Sequence, residues 1–462
     1  MNPVQEERTY GCRVVAMPYP GRGHINPMLN FCKLLASINN DILVTFVVTE
    51  EWHGFLSSEI KPANFRFDTI PNVVPSEIGR GADFPGFFEA ASMKLGDPFD
   101  RLLDRLEPPQ PSVIIYDSFL TWMVGVGNRR NIPVASLFTQ SSSVFSFFHH
   151  FDLLLQNGHF PADVSERGNE IVNYLPGIPS TRIKDLPTVF YGDARKVLHL
   201  ALEAISWVPK GQYLLFTSIY ELEAETIDAL KAKFPIPIYS IGPAIPYFRL
   251  GENFSTTNGH SDSSYVQWLD SQPKSSVLYI SQGSFLSVSS AQMDEIVAGV
   301  RDSGVAYLWV ARGDDSRINE GCGDKGLVVP WCDQLKVLCH SSVGGFWSHC
   351  GWNSTKEGVF GGVPMLTFPI FWDQMPNSKL IVEDWKVGLR VRKDVGVGNL
   401  VTREEIASLV QRFMDLESDE GREMRRRGRE IGEMCQRAVA KGGSVEANID
   451  AFIKDISQCH NH

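Results

Sequence analysis

His24 and Asp117 are the first residues whose types and settings allow chemistry. His24 follows the apolar run CRVVAMPY and the segment PGRG, so a glycine turn puts an imidazole at the start of a helix, GHINPML, beyond the carboxyl end of a strand. An imidazole so placed suits a general base, although a structural role at a helix start is also open. Asp117 ends a second apolar run, SVIIYDS. A carboxylate at a buried strand end needs compensation. An imidazole N–H supplies it and fixes the tautomer that leaves the other ring nitrogen free to accept a proton; helix capping is the plainer alternative. Gly21, Arg22, Gly23 and Asn26 do not complete a GxGxxG pattern, which disfavours a dinucleotide site there.

A second constellation runs from Trp331 to Gln374, WCDQLKVLCHSSVGGFWSHCGWNSTKEGVFGGVPMLTFPIFWDQ. The strand GGFWS leads through HCGWNS into a helix. Gly351 permits close backbone approach, and Asn353, Ser354 and Thr355 fall at the helix start, where unpaired N–H groups and the positive dipole end favour an anion. The same residues also serve as ordinary N-caps. The stretch has two lysines, Lys336 and Lys356, and no arginine, so a diphosphate would be held by amides, hydroxyls and His349. Trp331 offers a stacking face for a base, and Glu357, one turn into the helix, can accept from ribose hydroxyls. Cys332, Cys339, His340, His349 and Cys350 match no zinc spacing, and Asp314 and Asp315 in RGDDS read as a surface turn, so no metal is expected.

The elements that must hold these residues alternate. CRVVAMPY, ILVTFVV, FRFDTI, SVIIYDS and VASLFT read as strands, separated by helical patterns that include one from Phe84 to Leu106. Continuous apolar strands alternating with helices imply an α/β fold with parallel sheets covered on both faces. GENFSTTNGHSDSS, residues 251–264, reads as a linker, after which SVLYISQGS, YLWVAR, GLVVP, VGGFWS and MLTFPIF form a second set. The expected architecture is two doubly wound, Rossmann-like domains facing across a cleft, over residues 1–250 and 265–440, with a C-terminal helix in 441–462 returning to the first domain. In such sheets ligands sit beyond the carboxyl ends of the strands.

Composition narrows the function classes. With 462 residues, 43% hydrophobic and 21% charged, the chain has the balance of a folded globular protein. A formal charge of -11 argues against nucleic acid as a partner. The basic run Arg425 to Arg427, among glutamates, reads as a solvated helix face. MNPVQEERTY has no secretory pattern, no run is long and apolar enough to span a membrane, and eight cysteines without paired spacing read as reduced buried thiols; a cytoplasmic monomer is expected.

The Trp331–Gln374 string, with HCGWNS, a Glu three residues after Ser354 and the closing DQ, closely resembles the signature box of plant secondary-product UDP-glycosyltransferases. The resemblance extends through GHINPML and the IGP of residues 241–243. It implies a GT-B fold and an inverting transfer from a UDP-sugar, a co-substrate, to the hydroxyl of a small acceptor, without cofactor or metal. Carried onto this sequence, Trp331 stacks the uracil, the Cys332 backbone and Gln334 contact the nucleoside, and Glu357 binds ribose. Ser284, His349, Asn353 and Ser354 hold the diphosphate, Gly351 shaping the turn. Trp352, Asp373 and Gln374 line the sugar, and Thr139, after what reads as the last N-terminal strand, reaches it from across the cleft. His24 matches the family's base and Asp117 its orienting acid. A closing Gln goes with glucose in the family and a closing His with galactose. The common opening WAPQ is WCDQ here, which puts the local stiffness of that loop in question.

Aromatic residues Phe84, Phe87, Phe88, Phe119, Trp122, Phe145, Phe147, Phe148, Phe190, Phe371 and Trp372 gather after the N-terminal strands and at the end of the box. Each alone fits a core, but together they suggest an apolar acceptor cleft. Family acceptors include phenolics, flavonoids, terpenoids and hormones. Two other functions stay open: a sugar-nucleotide or small-ligand binding protein without turnover, and a GT-B epimerase acting on the UDP-sugar itself.

Overall fold

A computed structural model describes residues 10–78, 83–191, 193–250, 263–283, 288–311, 318, 324–392 and 400–458. Strands β1 (Cys12–Met17), β2 (Ile42–Thr49), β3 (Phe65–Ile70), β4 (Val113–Asp117) and β5 (Val134–Phe138) are the apolar runs legible in the sequence. A small antiparallel pair, β6 (Ile171–Val172) and β7 (Thr181–Arg182), precedes two strands that sequence reading missed, β8 (Tyr213–Phe216) and β9 (Ile238–Ser240). The first sheet is wholly parallel with order β3-β2-β1-β4-β5-β8-β9. The strand before Thr139 is therefore not the last of its domain.

The second sheet has order β12-β11-β10-β13-β14-β15, from β10 (Val277–Ser281), β11 (Ala306–Val310), β12 (Gly326–Val329), β13 (Val343–Ser348), β14 (Met365–Thr367) and β15 (Gly388–Arg390). Both sheets are doubly wound. Chain order reverses between β1 and β4 in the first and between β10 and β13 in the second, and at such switch points the diverging loops leave a crevice. Most positions of β4, β5, β8, β10 and β13 are buried, as strands covered on both faces require.

The Phe84–Leu106 pattern is two helices, Phe84–Lys94 and Gly96–Arg105. A Cβ on Gly96 would lie 3.3 Å from the Trp122 ring, so the break falls where that indole packs. Of the stretch read as a linker, residues 263 and 264 begin the helix Ser263–Asp270, and the rest lies outside the described residues. The helix Ser444–Gln458 packs on the first sheet: the Phe452 ring lies 6.4 Å from Phe31, 5.6 Å from Tyr213 and 5.7 Å from Tyr239, and Ser240 donates its N–H to Asn448.

Two surface expectations change. Arg426 and Arg427 pair with Glu423, but Arg425 is buried and donates to the carbonyls of Gly421 and Phe413. Cys12, Cys32, Cys332, Cys350 and Cys435 are buried free thiols, whereas Cys339 is exposed. Among the described residues no helix is long and apolar enough to cross a membrane.

Candidate functional site

The two switch points face each other, and each carries one constellation. In the first domain, β1 leads to the helix Arg22–Ile38 bearing His24, and neighbouring β4 ends on Asp117. Asp117 Oδ2 lies 2.7 Å from His24 Nδ1 while its Oδ1 accepts from the Phe119 N–H at 3.1 Å. The carboxylate is 1% exposed and the imidazole 22%, so the acid is held inside and the base reaches the cleft. Thr139 Oγ1 stands 3.0 Å from the same Nδ1. Thus Thr139 sits at the dyad. Tyr19, which sequence reading did not single out, packs its ring 5.0 Å from the imidazole, and Phe119 lies edge-on at 5.9 Å.

In the second domain, β13 ends at Ser348, Cys350 takes a left-handed φ of 67°, and the helix Trp352–Phe360 begins. Gly351 is the N-cap and gives no side-chain cap, which leaves the first N–H groups of the helix without intrahelical acceptors. Gly351 is needed for a different reason from turn flexibility. A Cβ there would meet His349 Nε2 at 2.5 Å, and one on Gly283, after β10, would meet the same atom at 2.7 Å. The two glycines make the slot for the His349 ring. Ser284 lies outside the described residues, as do Asp314 and Asp315.

The nucleoside end is a connected network. Gln334 donates through Nε2 to Ser354 Oγ at 3.0 Å and to Glu357, and accepts from the Tyr279 hydroxyl at 3.0 Å. Burial pushes the Glu357 carboxyl up to about 7, against the Gln334 hydrogen bond. Trp331 is 57% exposed, with its face open for stacking. Asp333, where the family has proline, accepts from the Lys336 N–H at 3.1 Å and caps the helix Gln334–Leu338. A side-chain cap thus fixes the loop that a proline ring would have stiffened, and buried Cys332 lies 3.5 Å from the Tyr279 hydroxyl.

At the sugar end, Asp373 is buried and accepts from Asn377 Nδ2 at 2.8 Å. Burial raises its carboxyl to about 6, while the Asn377 bond and the nearby His24 charge pull it down. Gln374 spends its amide oxygen on the N–H groups of Ile370 and Phe371, at 2.7 and 2.9 Å, so its NH₂ is the part left to donate. The Trp352 indole is turned into the domain interface. It is 3% exposed and donates to the Thr217 carbonyl of the other domain at 3.1 Å, while the Trp352 backbone N–H donates to the Asp373 carboxylate.

Five of the other aromatics converge on Trp372. Its ring lies 5.8 Å from Phe84, 6.3 Å from Phe88, 6.0 Å from Phe119, 6.3 Å from Phe148 and 5.7 Å from Phe371, and Phe190 packs 5.3 Å from Phe148. Trp372 has a left-handed φ of 57° and is held by Thr188, whose Oγ1 accepts from its N–H at 2.7 Å and whose own N–H donates to its carbonyl at 3.0 Å. Its indole N–H donates to Gln140 at 3.2 Å. Thr188 and Gln140 carry no sequence signal for this, since they meet Trp372 only across the domain interface. Phe145 does not join: it packs on Phe138, Phe216 and Phe234 in the core. Trp122 packs on Phe99, and Phe87 and Phe147 are buried.

The two halves touch where chemistry would occur. Asn353 Nδ2 donates to the Gly23 carbonyl at 2.9 Å, joining the uncapped helix start to the residue before His24. Among the described residues no group of His, Cys, Asp and Glu is arranged to hold a metal ion.

A sequence model of the family described as UDP-glucuronosyl and UDP-glucosyl transferase matches residues 241–406. The chain is 52% identical to UDP-glycosyltransferase 87A2 of Arabidopsis thaliana over 99% of both chains, and 53% identical to UDP-glycosyltransferase 87A1 of the same plant over 96% of this chain and all of that one. Among solved structures it is similar to Medicago truncatula UGT71G1 complexed with UDP-glucose, with a TM-score of 0.80 and 28% identity over 96% of this chain and 98% of that one. It is also similar to Phytolacca americana UGT2 complexed with UDP-2fluoro-glucose and pterostilbene, with a TM-score of 0.81 and 27% identity over 97% and 100%. The architecture of two facing parallel α/β units is the GT-B fold of these plant enzymes.

Proposed function

This chain belongs to the plant UDP-glycosyltransferase family and is a UDP-sugar-dependent transferase; from that premise we propose the reaction its cleft performs, an inverting transfer of glucose to a hydroxyl of a small apolar acceptor. The observation that carries the proposal is the bond from Asn353 to Gly23, which sets the anion-favouring helix start beside the His24–Asp117 dyad. His24, with Nδ1 committed to Asp117, takes the acceptor's proton on Nε2. The freed oxygen attacks the anomeric carbon from the face opposite UDP, and the bond to the diphosphate breaks. Asp117 stabilises the imidazolium, and the N–H groups of Asn353 and Ser354 stabilise charge on the departing diphosphate.

Trp331, the Cys332 backbone, Gln334 and Glu357 hold the nucleoside in this reading, and Asp373 and the Gln374 amide hold the sugar. The rings around Trp372 receive the acceptor, with half-buried Phe84 and Phe371 at the mouth. The test is incubation with UDP-glucose and a panel of phenolics, flavonoids, terpenoids and hormones, read by mass spectrometry. A glucosylated product of inverted configuration is expected. UDP binding without any product would support the binding-protein reading, and isomerised UDP-sugar without acceptor would support the epimerase.

A further inference from the structure

Four charged side chains close a ring across the domain interface. Arg182, on β7, lies 2.7 Å from Asp185 Oδ2 and also contacts Glu383; Arg390, on β15, lies 2.8 Å from Asp185 Oδ1 and 3.0 Å from Glu383 Oε1. Each cation therefore touches both acids, and each acid both cations. Arg182 and Asp185 belong to the first domain, Glu383 and Arg390 to the second. Asp185 is 1% exposed, Arg390 16%, Arg182 29% and Glu383 37%, so the central acid is shielded from screening by salt while Arg182 and Glu383 reach the surface. A buried carboxylate flanked by two guanidinium forks is costly to leave half-paired, so its partners are held in one geometry.

The position of the ring gives it a consequence for the pocket. Asp185 is followed within three residues by Thr188, which brackets the Trp372 backbone with two hydrogen bonds, and then by Phe190 of the ring cluster. The segment is braced from within by Tyr191, whose hydroxyl contacts the carbonyls of Lys184 and Leu186 at 2.8 and 3.1 Å. The ring thus ties residues 181–191 of the first domain to the second domain close to where Trp372 leads into Asp373 and Gln374.

We propose that Arg182, Asp185, Glu383 and Arg390 form an interdomain clasp of positioning residues that sets the acceptor wall at Thr188–Phe190 against Trp372. The effect on acceptor binding rests on the transferase reading; the clasp itself does not. In Glu383→Gln and Arg390→Gln, hydrogen exchange in peptides spanning residues 181–191 should speed up by about tenfold, because the Thr188 N–H loses its fixed partner. The acceptor KM should rise about three- to tenfold while the Kd for UDP stays within about twofold, and the double variant should be little worse than either single one. Arg390→Lys, which keeps charge without the two-pronged geometry, should fall between. Glu383 is the most exposed member, so Glu383→Gln decides the matter if Arg390→Gln fails to fold. Wild-type exchange and wild-type acceptor KM in folded Glu383→Gln would overturn the proposal, as would a parallel loss of UDP binding. If the wild-type protein transfers no sugar at all, the transferase reading falls, and the exchange experiment still judges the clasp.

Discussion

Asp117 holds Nδ1 of His24 at 2.7 Å from a position that solvent barely reaches. The pairing selects the tautomer with Nε2 free, which is the form a general base needs. His24→Ala should therefore lower turnover on an aliphatic alcohol by about 10²- to 10⁴-fold while UDP still binds, since the residues proposed to hold the nucleotide lie in the other domain. Asp117→Asn should also impair the rate, and acidic phenols, which arrive partly deprotonated, should suffer least. A His24→Ala enzyme with near wild-type rates on an aliphatic alcohol would show the histidine to be structural.

Donor choice is expected to turn on Gln374. Its amide oxygen is used by the backbone of Ile370 and Phe371, so replacing it should change both the proposed sugar contact and the loop that carries Trp372. UDP-glucose should give a higher kcat/KM than UDP-galactose. Gln374→His should lower the glucose value by roughly tenfold or more, the size expected when a polar substrate contact goes unpaired. Equal or better use of UDP-galactose by the wild-type enzyme would refute the assignment.

With Glu357 in the proposed ribose site, its carboxyl, raised to about 7 by burial, should make donor affinity depend on pH. Ribose hydroxyls donate to the ionised form, so its contribution is present above about pH 7 and is lost as the pH falls through that value. At pH 8 Glu357→Gln should weaken UDP binding by about ten- to a hundredfold, as expected for hydrogen bonds to a charged group. At pH 6 calorimetry should show the gap narrowed. A constant gap across both pH values would remove Glu357 from the ribose site.

Lys356 is 1% exposed, and its Nζ has no hydrogen-bond partner among the described residues. Burial lowers its pKa from 10.5 to about 7, opposed by the charges of Glu357, Glu223 and Asp373. Below about 7 the folded protein carries the buried charge at full cost; as the pH rises from there towards 10.5 the amine is neutral in the folded state and the cost shrinks. Lys356→Met should then stabilise the free protein by about 1–4 kcal/mol at pH 6 and by less at pH 9. A lower melting temperature for the variant at pH 6 would mean the ammonium has a stabilising role.

With a diphosphate held by amides and hydroxyls, activity should survive dialysis against EDTA. Turnover lost to the chelator and restored by magnesium or manganese would contradict that account of the leaving group.

What was legible in the sequence was local. Strands buried on both faces announce themselves as apolar runs, and His24, Asp117 and the Trp331–Gln374 box sit at their ends. Strands β8, β9 and β15 went unread; they are three or four residues long, as are β12 and β14, whose apolar runs were read. Partners across the interface were also out of reach: nothing in the chain near Thr188 says that it will bracket Trp372, and helix periodicity does not tell which way the Trp352 indole turns. Phe145 and Trp122 were grouped with the pocket on composition alone, although neighbouring positions on a helix face opposite sides of it.

Phe452 closes a face of the first sheet beside Phe31, Tyr213 and Tyr239, yet it lies in the helix Ser444–Gln458, beyond the whole second domain. During translation those three rings emerge long before their cover, and the first domain stays incomplete while the second is made. The order of synthesis is thus the reverse of the order of completion: the half that carries His24 leaves the ribosome first and is finished last.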